Sequence, residues 1–203
     1  YDGESHSDSG YIITDGELAD GETIDTVVVT GSITYPGDSA NVAGGAVITD
    51  GSGNNVTDNY DITYVPGTLT VTKDTTALTI TSGDCATTYD AQDHTCEEYV
   101  VTYGDSTITE CTACAHDTLT HIYVIPTGDT VTIKEPEVLH DVDTVPNTFE
   151  YTITNDTNYP NVDTTIGTIQ VDKRPIEITA NSNEWMYDGE SHSDSGYIIT
   201  DGE

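Results

Sequence analysis

Residues Tyr187–Glu203 read YDGESHSDSGYIITDGE, letter for letter the 17-residue sequence of Tyr1–Glu17. Two identical segments cannot both occupy one place in a packed domain. Any fold for this chain must therefore treat the second copy as the start of something new. Position 187 minus position 1 sets a period of 186 residues. The economical expectation is a window on a longer array of near-identical units. The alternative is a subunit polymer in which the C-terminal segment of one chain complements its neighbour.

A weaker duplication lies inside the period. Gly67-Thr68-Leu69-Thr70-Val71-Thr72-Lys73 is echoed by Gly167-Thr168-Ile169-Gln170-Val171-Asp172-Lys173. Each is followed by a fresh alternating run, Ala77–Thr81 and Pro175–Thr179. Tyr187-Asp188-Gly189 with His192 matches Tyr89-Asp90-Ala91 with His94; Gly21-Glu22-Thr23 matches Gly128-Asp129-Thr130; Asn59-Tyr60 matches Asn158-Tyr159. The expected organisation is a β-domain over 1–73, a longer variant over 74–173, and the first strands of a further repeat over 174–203. The longer domain carries a cysteine-bearing insertion at about 105–121. The 1–73 domain is expected to lack its first strand, the equivalent of 176–187, which a preceding unit would supply; alone it would present an unpaired edge.

Period-2 alternation dominates, as at Leu69 and Val71, Val131 and Ile133, Phe149, Tyr151 and Ile153, and Ile176 and Ile178. Thr, Asp and Glu fill the positions between, the pattern of sheets with one buried and one wet face. Threonine, with 37 residues, stands where a helical protein would use Ala, Leu, Glu and Lys, which excludes an all-helical fold. Pro-Gly and Asp-Gly turns separate the runs at Tyr35–Asp38, Asp50–Asn54 and Val65–Gly67. The expected fold class is all-β: tandem immunoglobulin-like antiparallel β-sandwich repeats joined by short linkers into an elongated rod.

The order Tyr-Asp-Gly-x-x-His, Gly-x-Thr, Asp-Gly-x-Gly-Asn-x-Val-Thr-x-Asn-Tyr and Gly-Thr-Leu-Thr-Val-Thr-Lys resembles the YDG/MBG-type tandem repeats of bacterial surface proteins. The match covers 1–73 with 176–187, and reaches 74–175 only at the anchor points above. The resemblance implies tandem β-domains in large secreted adhesins, haemagglutinin-like proteins and surface fibres, and it carries no catalytic residues.

Four cysteines fall in the longer domain, Cys85, Cys96, Cys111 and Cys114. Four allow three pairings, and spacing favours Cys85–Cys96 across a hairpin and Cys111–Cys114 within the insertion. A zinc site using these thiolates with His94 or His116 is the competing reading. In a polar, core-poor insertion a crosslink would substitute for burial, worth roughly 2–4 kcal/mol per bridge.

Asp50, Ser52, Asn54, Asp58 and Asp61 place oxygen donors at positions 1, 3, 5, 9 and 12 of a loop, a partial match to a calcium site. A plain hairpin loop competes, because Asn55 replaces the usual glycine and no helices flank it. Diffuse calcium binding by the acidic surface competes as well. No other cofactor is expected. Asn55 and Asn155 begin glycosylation sequons, relevant only in a glycosylating host. The six histidines read as turn or surface residues, and Trp185 as an apolar plug under the Tyr-Asp-Gly turn or at an inter-domain joint.

With 4 Lys and Arg against 37 Asp and Glu, the net charge of −33 disfavours nucleic acid and anionic membrane surfaces. No apolar run approaches the roughly 20 residues of a membrane span. Nucleophile elbows, zinc-protease motifs and phosphate loops are missing from the sequence, so the chain is not expected to be an enzyme. The expected role is a structural repeat unit of a long extracellular surface filament or adhesin stalk. Its partners would be neighbouring identical repeats and other filaments. The alternative is a ligand-binding adhesin module that presents the cysteine-stapled insertion to glycan or host protein.

Overall fold

The computed structural model describes residues 1–109, 111–112, 120–134 and 136–201. It is all-β, with helical structure among these residues confined to two 3₁₀ turns, Thr57–Asn59 and Asp156–Asn158. No described sheet mixes strands from the three stretches of chain before 74, between 74 and 173, and after 174. In the first stretch, β1 (Thr23–Thr30), β2 (Gly37–Thr49) and β3 (Gly67–Val71) form one antiparallel sheet in that order.

The middle stretch begins with β4 (Leu78–Ser82), β5 (Cys85–Thr88), β6 (His94–Thr95), β7 (Tyr99–Tyr103) and β8 (Ser106–Ile108). It continues through β9 (Thr120–Val124), β10 (Thr130–Lys134), β11 (Val138–Leu139), β12 (Thr144–Pro146) and β13 (Glu150–Ile153), and ends with β14 (Val162–Thr165) and β15 (Thr168–Asp172). These strands pair in the orders β14-β4-β7-β8, β12-β15-β5, β13-β10-β9 and β11-β6. The last stretch is one hairpin, β16 (Glu177–Ala180) with β17 (Tyr197–Asp201).

The sequence alternation translates directly into burial. Leu78, Ile80 and Ser82 face inward from β4, and Val131 and Ile133 from β10. They meet Val101, Tyr123, Ile125 and Tyr159 in the main core, while Cys96, Leu139, Ile169 and Val171 form a second cluster. Both lie in the middle domain. The first stretch contributes only Ile48 and Val71 to the described buried apolar residues.

One feature departs from the antiparallel sandwich expected from sequence. β4 and β14 are parallel, and so are β5 and β15. The chain runs through β4 and, after a step at Gly83, continues as β5 in a different sheet; β14 and β15 do the same around Gly167. The first and last strand pairs of the domain thus travel side by side and change sheets together. At the crossing their backbones touch: a Cβ added to Gly167 would collide with the backbone of Ser82 and Gly83. Gly167 N–H also donates to Ser82 Oγ at 3.0 Å, and Ser82 Oγ donates to the Asn147 carbonyl at 2.8 Å.

Candidate functional site

The middle domain serves as a template for the other two stretches. The eleven residues Leu78–Thr88, holding β4 and β5, correspond to Ile176–Met186. Strand β7 corresponds to Tyr11–Asp15 and equally to Tyr197–Asp201, which share one sequence. In the template, Ile80 pairs with Val101, Thr81 with Val100 and Ser82 with Tyr99. In the last stretch, Ile178 pairs with Ile199, Thr179 with Ile198 and Ala180 with Tyr197, the same register at these three counterparts, while Glu177 faces Asp201 across a register shift that the template lacks.

The first domain has no described strand in the β4 or β5 position. Tyr11–Asp15 and Ile62–Val65, the counterparts of β7 and β14, run without ladder pairing. Between them opens a cavity of about 880 Å³, lined by Tyr11, Ile13, Val29, Ile48, Tyr64 and Val65 among others. Ile13 is 54% exposed there, whereas its counterpart Val101 is fully buried at 0%. A second opening of about 410 Å³ follows β3 at Leu69–Thr72, with Tyr1 and His6 on its other wall. These two openings lie where β4 and β5 run in the middle domain.

An asparagine marks the crossing point in both domains. Asn147, fully buried, donates from Nδ2 to the carbonyls of Gly83 and Cys96, each at 3.1 Å. Its counterpart Asn41 donates to the carbonyl of Asp8 at 2.9 Å, and Asp8 is the counterpart of Cys96. The position of Gly83 corresponds to Asn181, which lies in the last stretch. Gly67 shows the same contrast. A Cβ there would meet only Asn41 at 3.8 Å, against the backbone collision at Gly167.

The first and middle domains are joined by a tyrosine. Tyr1 N donates to the Thr72 carbonyl at 2.8 Å, as Tyr89 N–H donates to the Asp172 carbonyl at 2.9 Å. The Tyr1 ring stacks on Tyr35 and meets Tyr159 edge-on, each at 6.0 Å between centroids. Its hydroxyl donates to Asp129 Oδ2 at 2.9 Å, and Tyr159 donates to the same oxygen at 2.5 Å. Asn155 Nδ2 donates to Asp129 Oδ1 at 2.8 Å. Burial and the neighbouring carboxylate raise the pKa of both tyrosines. Gly3, at φ +82°, lies so close to the Thr127 carbonyl that a side chain would clash. The first domain carries a matching pair, Tyr60 donating to Glu22 Oε2 at 2.5 Å, without a second tyrosine on that carboxylate among the described residues. Tyr187, the counterpart of Tyr1, is 97% exposed.

The turn bearing these tyrosines is built alike three times. His6, His94 and His192 contact Asp2, Asp90 and Asp188 at 2.9, 2.8 and 2.9 Å, and each aspartate also accepts the backbone N–H two residues on. Ala91, at φ 63°, sits in the left-handed conformation that Gly3 and Gly189 adopt at the same place. Trp185 stacks flat on His192 at 5.4 Å.

Cys85 and Cys96 are disulfide-bonded, with Cα atoms 5.7 Å apart, and pin β5 beside the second core cluster. The Cys111–Cys114 pairing and any ligand role of His116 involve residues outside those described. Asp50 Oδ1 accepts the N–H groups of Ser52 and Asn54, each at 2.9 Å, closing a tight turn. Asp58 lies in the 3₁₀ turn and Asp61 lines the large cavity, and among the described residues no three His, Cys, Asp or Glu gather to hold a metal ion. Asn55 is exposed, while Asn155 spends its side-chain amide on Asp129.

Asn41, Asn147, Glu22 and Asp129 were not singled out as site residues by sequence. The aligned Gly-x-Thr and Asn-Tyr anchors were the available signal, since Glu22 and Asp129 are their central residues and Tyr60 and Tyr159 their partners. In comparisons with known proteins, no family model, curated protein or solved structure matches the chain.

Proposed function

We propose that the chain is a structural repeat unit of a long extracellular surface filament or adhesin stalk, built from tandem immunoglobulin-like β-sandwich domains. The observation that carries this reading is the hairpin β16–β17. It reproduces the β4–β7 register at three consecutive pairs, from Ile178–Ile199 to Ala180–Tyr197, before a shift at Glu177, and its second strand has the sequence of Tyr11–Asp15. This supports the reading that the same domain type starts again after one period. The joint at Tyr1, Asp129 and Tyr159 supports it further, because it ties the first stretch to the middle one by hydrogen bonds. A net charge of −33 keeps such rods soluble and apart. The role is mechanical: it maintains length and spacing and performs no chemistry. Its partners are neighbouring identical repeats, and its location is the cell surface.

Immunogold electron microscopy on intact cells, with an antibody raised against one 186-residue period, tests this. Label at regular intervals along thin filaments is the expected result. Label confined to filament tips or contact points would overturn the stalk reading and favour recognition by the cysteine-bearing insertion.

A further inference from the structure

We infer that the middle domain is a tension clamp: a pull along the chain shears its two parallel ladders together, and the buried crossing between them resists sliding. The inference deepens the stalk reading, on which it rests for the source of the tension, by locating the residues that bear it.

The chain enters the domain at Asp74, whose N–H donates to the Asn158 carbonyl at 3.1 Å shortly before β14 begins. It leaves past Asp172, whose carbonyl accepts the Tyr89 N–H just after β5 ends. Both β4 with β5 and β14 with β15 run from the first place to the second, over roughly 35 Å of extended chain. A pull on the two connections therefore drags β4 and β5 toward one end of the domain and β14 and β15 toward the other. Ladder hydrogen bonds cross between strands, so this displacement strains them side by side. Four residue pairs share it on each side of the crossing, from Leu78–Val162 to Thr81–Thr165 and from Cys85–Ile169 to Thr88–Asp172. Antiparallel partners would place both connections at one end, and the same pull would open the pairs one after another.

Nothing in the register absorbs a slip. Partners stand 84 positions apart in both ladders, and Gly83 and Gly167 keep that spacing at the crossing. The shortest slip that keeps inward faces inward spans two residues, about 6.6 Å. It would carry Thr165 to the place of Gly167, where the backbone of Ser82 and Gly83 leaves no room for a Cβ. Fully buried Asn147 holds both backbones at this point. Its N–H donates to the Gly167 carbonyl at 2.8 Å, and its Nδ2 donates to the Gly83 carbonyl at 3.1 Å. Its own carbonyl accepts from Ser82 Oγ, which in turn accepts the Gly167 N–H. Ser82 is buried too, so no water stands by to replace a partner as these bonds stretch. On the rim, Asp84 Oδ1 accepts from the Thr168 N–H at 2.8 Å and from its Oγ1 at 2.9 Å.

The disulfide closes the remaining weak point. Among the described strands β5 pairs only with β15. Cys85–Cys96 gives it a second hold, tying its first residue to the segment that leads into β7, the partner of β4. Load passing down β4 is returned to the same sheet, and the loop between the two cysteines stays out of its path.

Single-molecule force spectroscopy on the whole chain is the test, with the protein held in two directions. Held at its two termini, the middle domain is sheared. Held at the C-terminus and at Gln92, an exposed turn residue replaced by one with a clickable side chain, the chain draws Thr88 from Asp172 and opens the β5–β15 ladder from its end. Complete unfolding in the first direction should lengthen the chain by roughly 300 Å, the extended length of residues 74–173 less the disulfide-closed loop, which identifies the domain. At equal pulling speed the shear force should be several-fold the opening force, because forced unfolding follows the rate at which the strained bonds give way. Asp84→Ala, at an exposed position beside the crossing, should lower the shear force and leave the onset of opening at Asp172 unchanged. Equal forces in the two directions, or a shear force that Asp84→Ala does not change, would overturn the clamp. Regular filament labelling does not depend on either force, so a clamp that fails leaves the stalk reading standing, and label confined to tips would overturn the stalk reading alone.

Discussion

Ile80 and Ile178 are counterparts in the repeat, yet replacing each by alanine should have very different consequences. Ile80 is fully buried among Leu78, Val101, Val131 and Ile133, and Ile178 is 61% exposed. Truncating Ile80 removes three buried carbons and leaves a cavity in a packed core. Such changes cost about 2–5 kcal/mol, and complete burial places this one at about 3–4 kcal/mol. For a domain of ~100 residues each kcal/mol moves Tm by about 4–8 °C, so Ile80→Ala should lower the main transition by roughly 12–30 °C. Ile178→Ala in dilute solution should stay within about 0.5 kcal/mol of the parent, as for other exposed positions. Urea and thermal melts followed by circular dichroism at low micromolar concentration would measure both. Trp185 fluorescence would report the last stretch separately. Equal losses for the two variants would refute the argument, since they would mean either that Ile178 is already buried in the free chain or that the Ile80 core carries little stability.

Three further outcomes follow from the geometry. Removing the Cys85–Cys96 bridge by a double alanine substitution should cost about 3 kcal/mol, from the loop-closure entropy of its 11-residue separation, read from a urea midpoint with and without reductant. Asp129→Asn weakens the charged acceptor shared by Tyr1, Tyr159 and Asn155, at a cost of about 1.5–3 kcal/mol. Spectrophotometric titration should then show two tyrosines ionising at lower pH than in the parent, and an unchanged curve would remove Asp129 from the joint. His121 is buried, which pushes its pKa below the usual 6.5 despite Glu97 at 3.8 Å, with the Tyr99 ring 5.0 Å away. The unfolded chain protonates this side chain near pH 6.5 and the folded chain resists. Stability should therefore fall as pH drops below about 6.5, by at most about 1.4 kcal/mol per unit, and His121→Gln should flatten that slope. The carboxylate of Asp74, held below its usual range by hydrogen bonds from Tyr103 and Thr76 although burial opposes this, gives way only at more acid pH.

Facing was readable from the sequence; neighbours and direction were not. Alternation at Leu78 and Ile80, or at Val131 and Ile133, says which side chains turn inward, and the structure buries all four. It does not say which strands lie side by side, because period 2 is the same for parallel and antiparallel pairs. The parallel couples β4–β14 and β5–β15 therefore came as a difference, and Gly83 and Gly167 at their crossing show their role only once the two backbones are seen to meet. The Cys85–Cys96 bridge was legible from spacing, but the expected hairpin was not formed: β5 pairs with β15 and β6 with β11, and the disulfide joins β5 to the residue just after β6, across two different sheets. Asn41 and Asn147 were not, since asparagine is common in turns and their value appears only when two crossing backbones present carbonyls to one amide. Asp129 was hidden among the 37 acidic residues until a tyrosine from another domain was seen resting on it.

Amide hydrogen exchange of the whole chain, with and without a synthetic peptide of the sequence Ile176–Met186, tests the central claim most directly. If the first domain is completed by strands of this sequence, the peptide should slow exchange at Tyr11–Asp15, Ile62–Val65 and the open edge of β3 by about tenfold or more, and leave the middle domain unaffected. Unchanged exchange at those three places, with the peptide in excess, would contradict it.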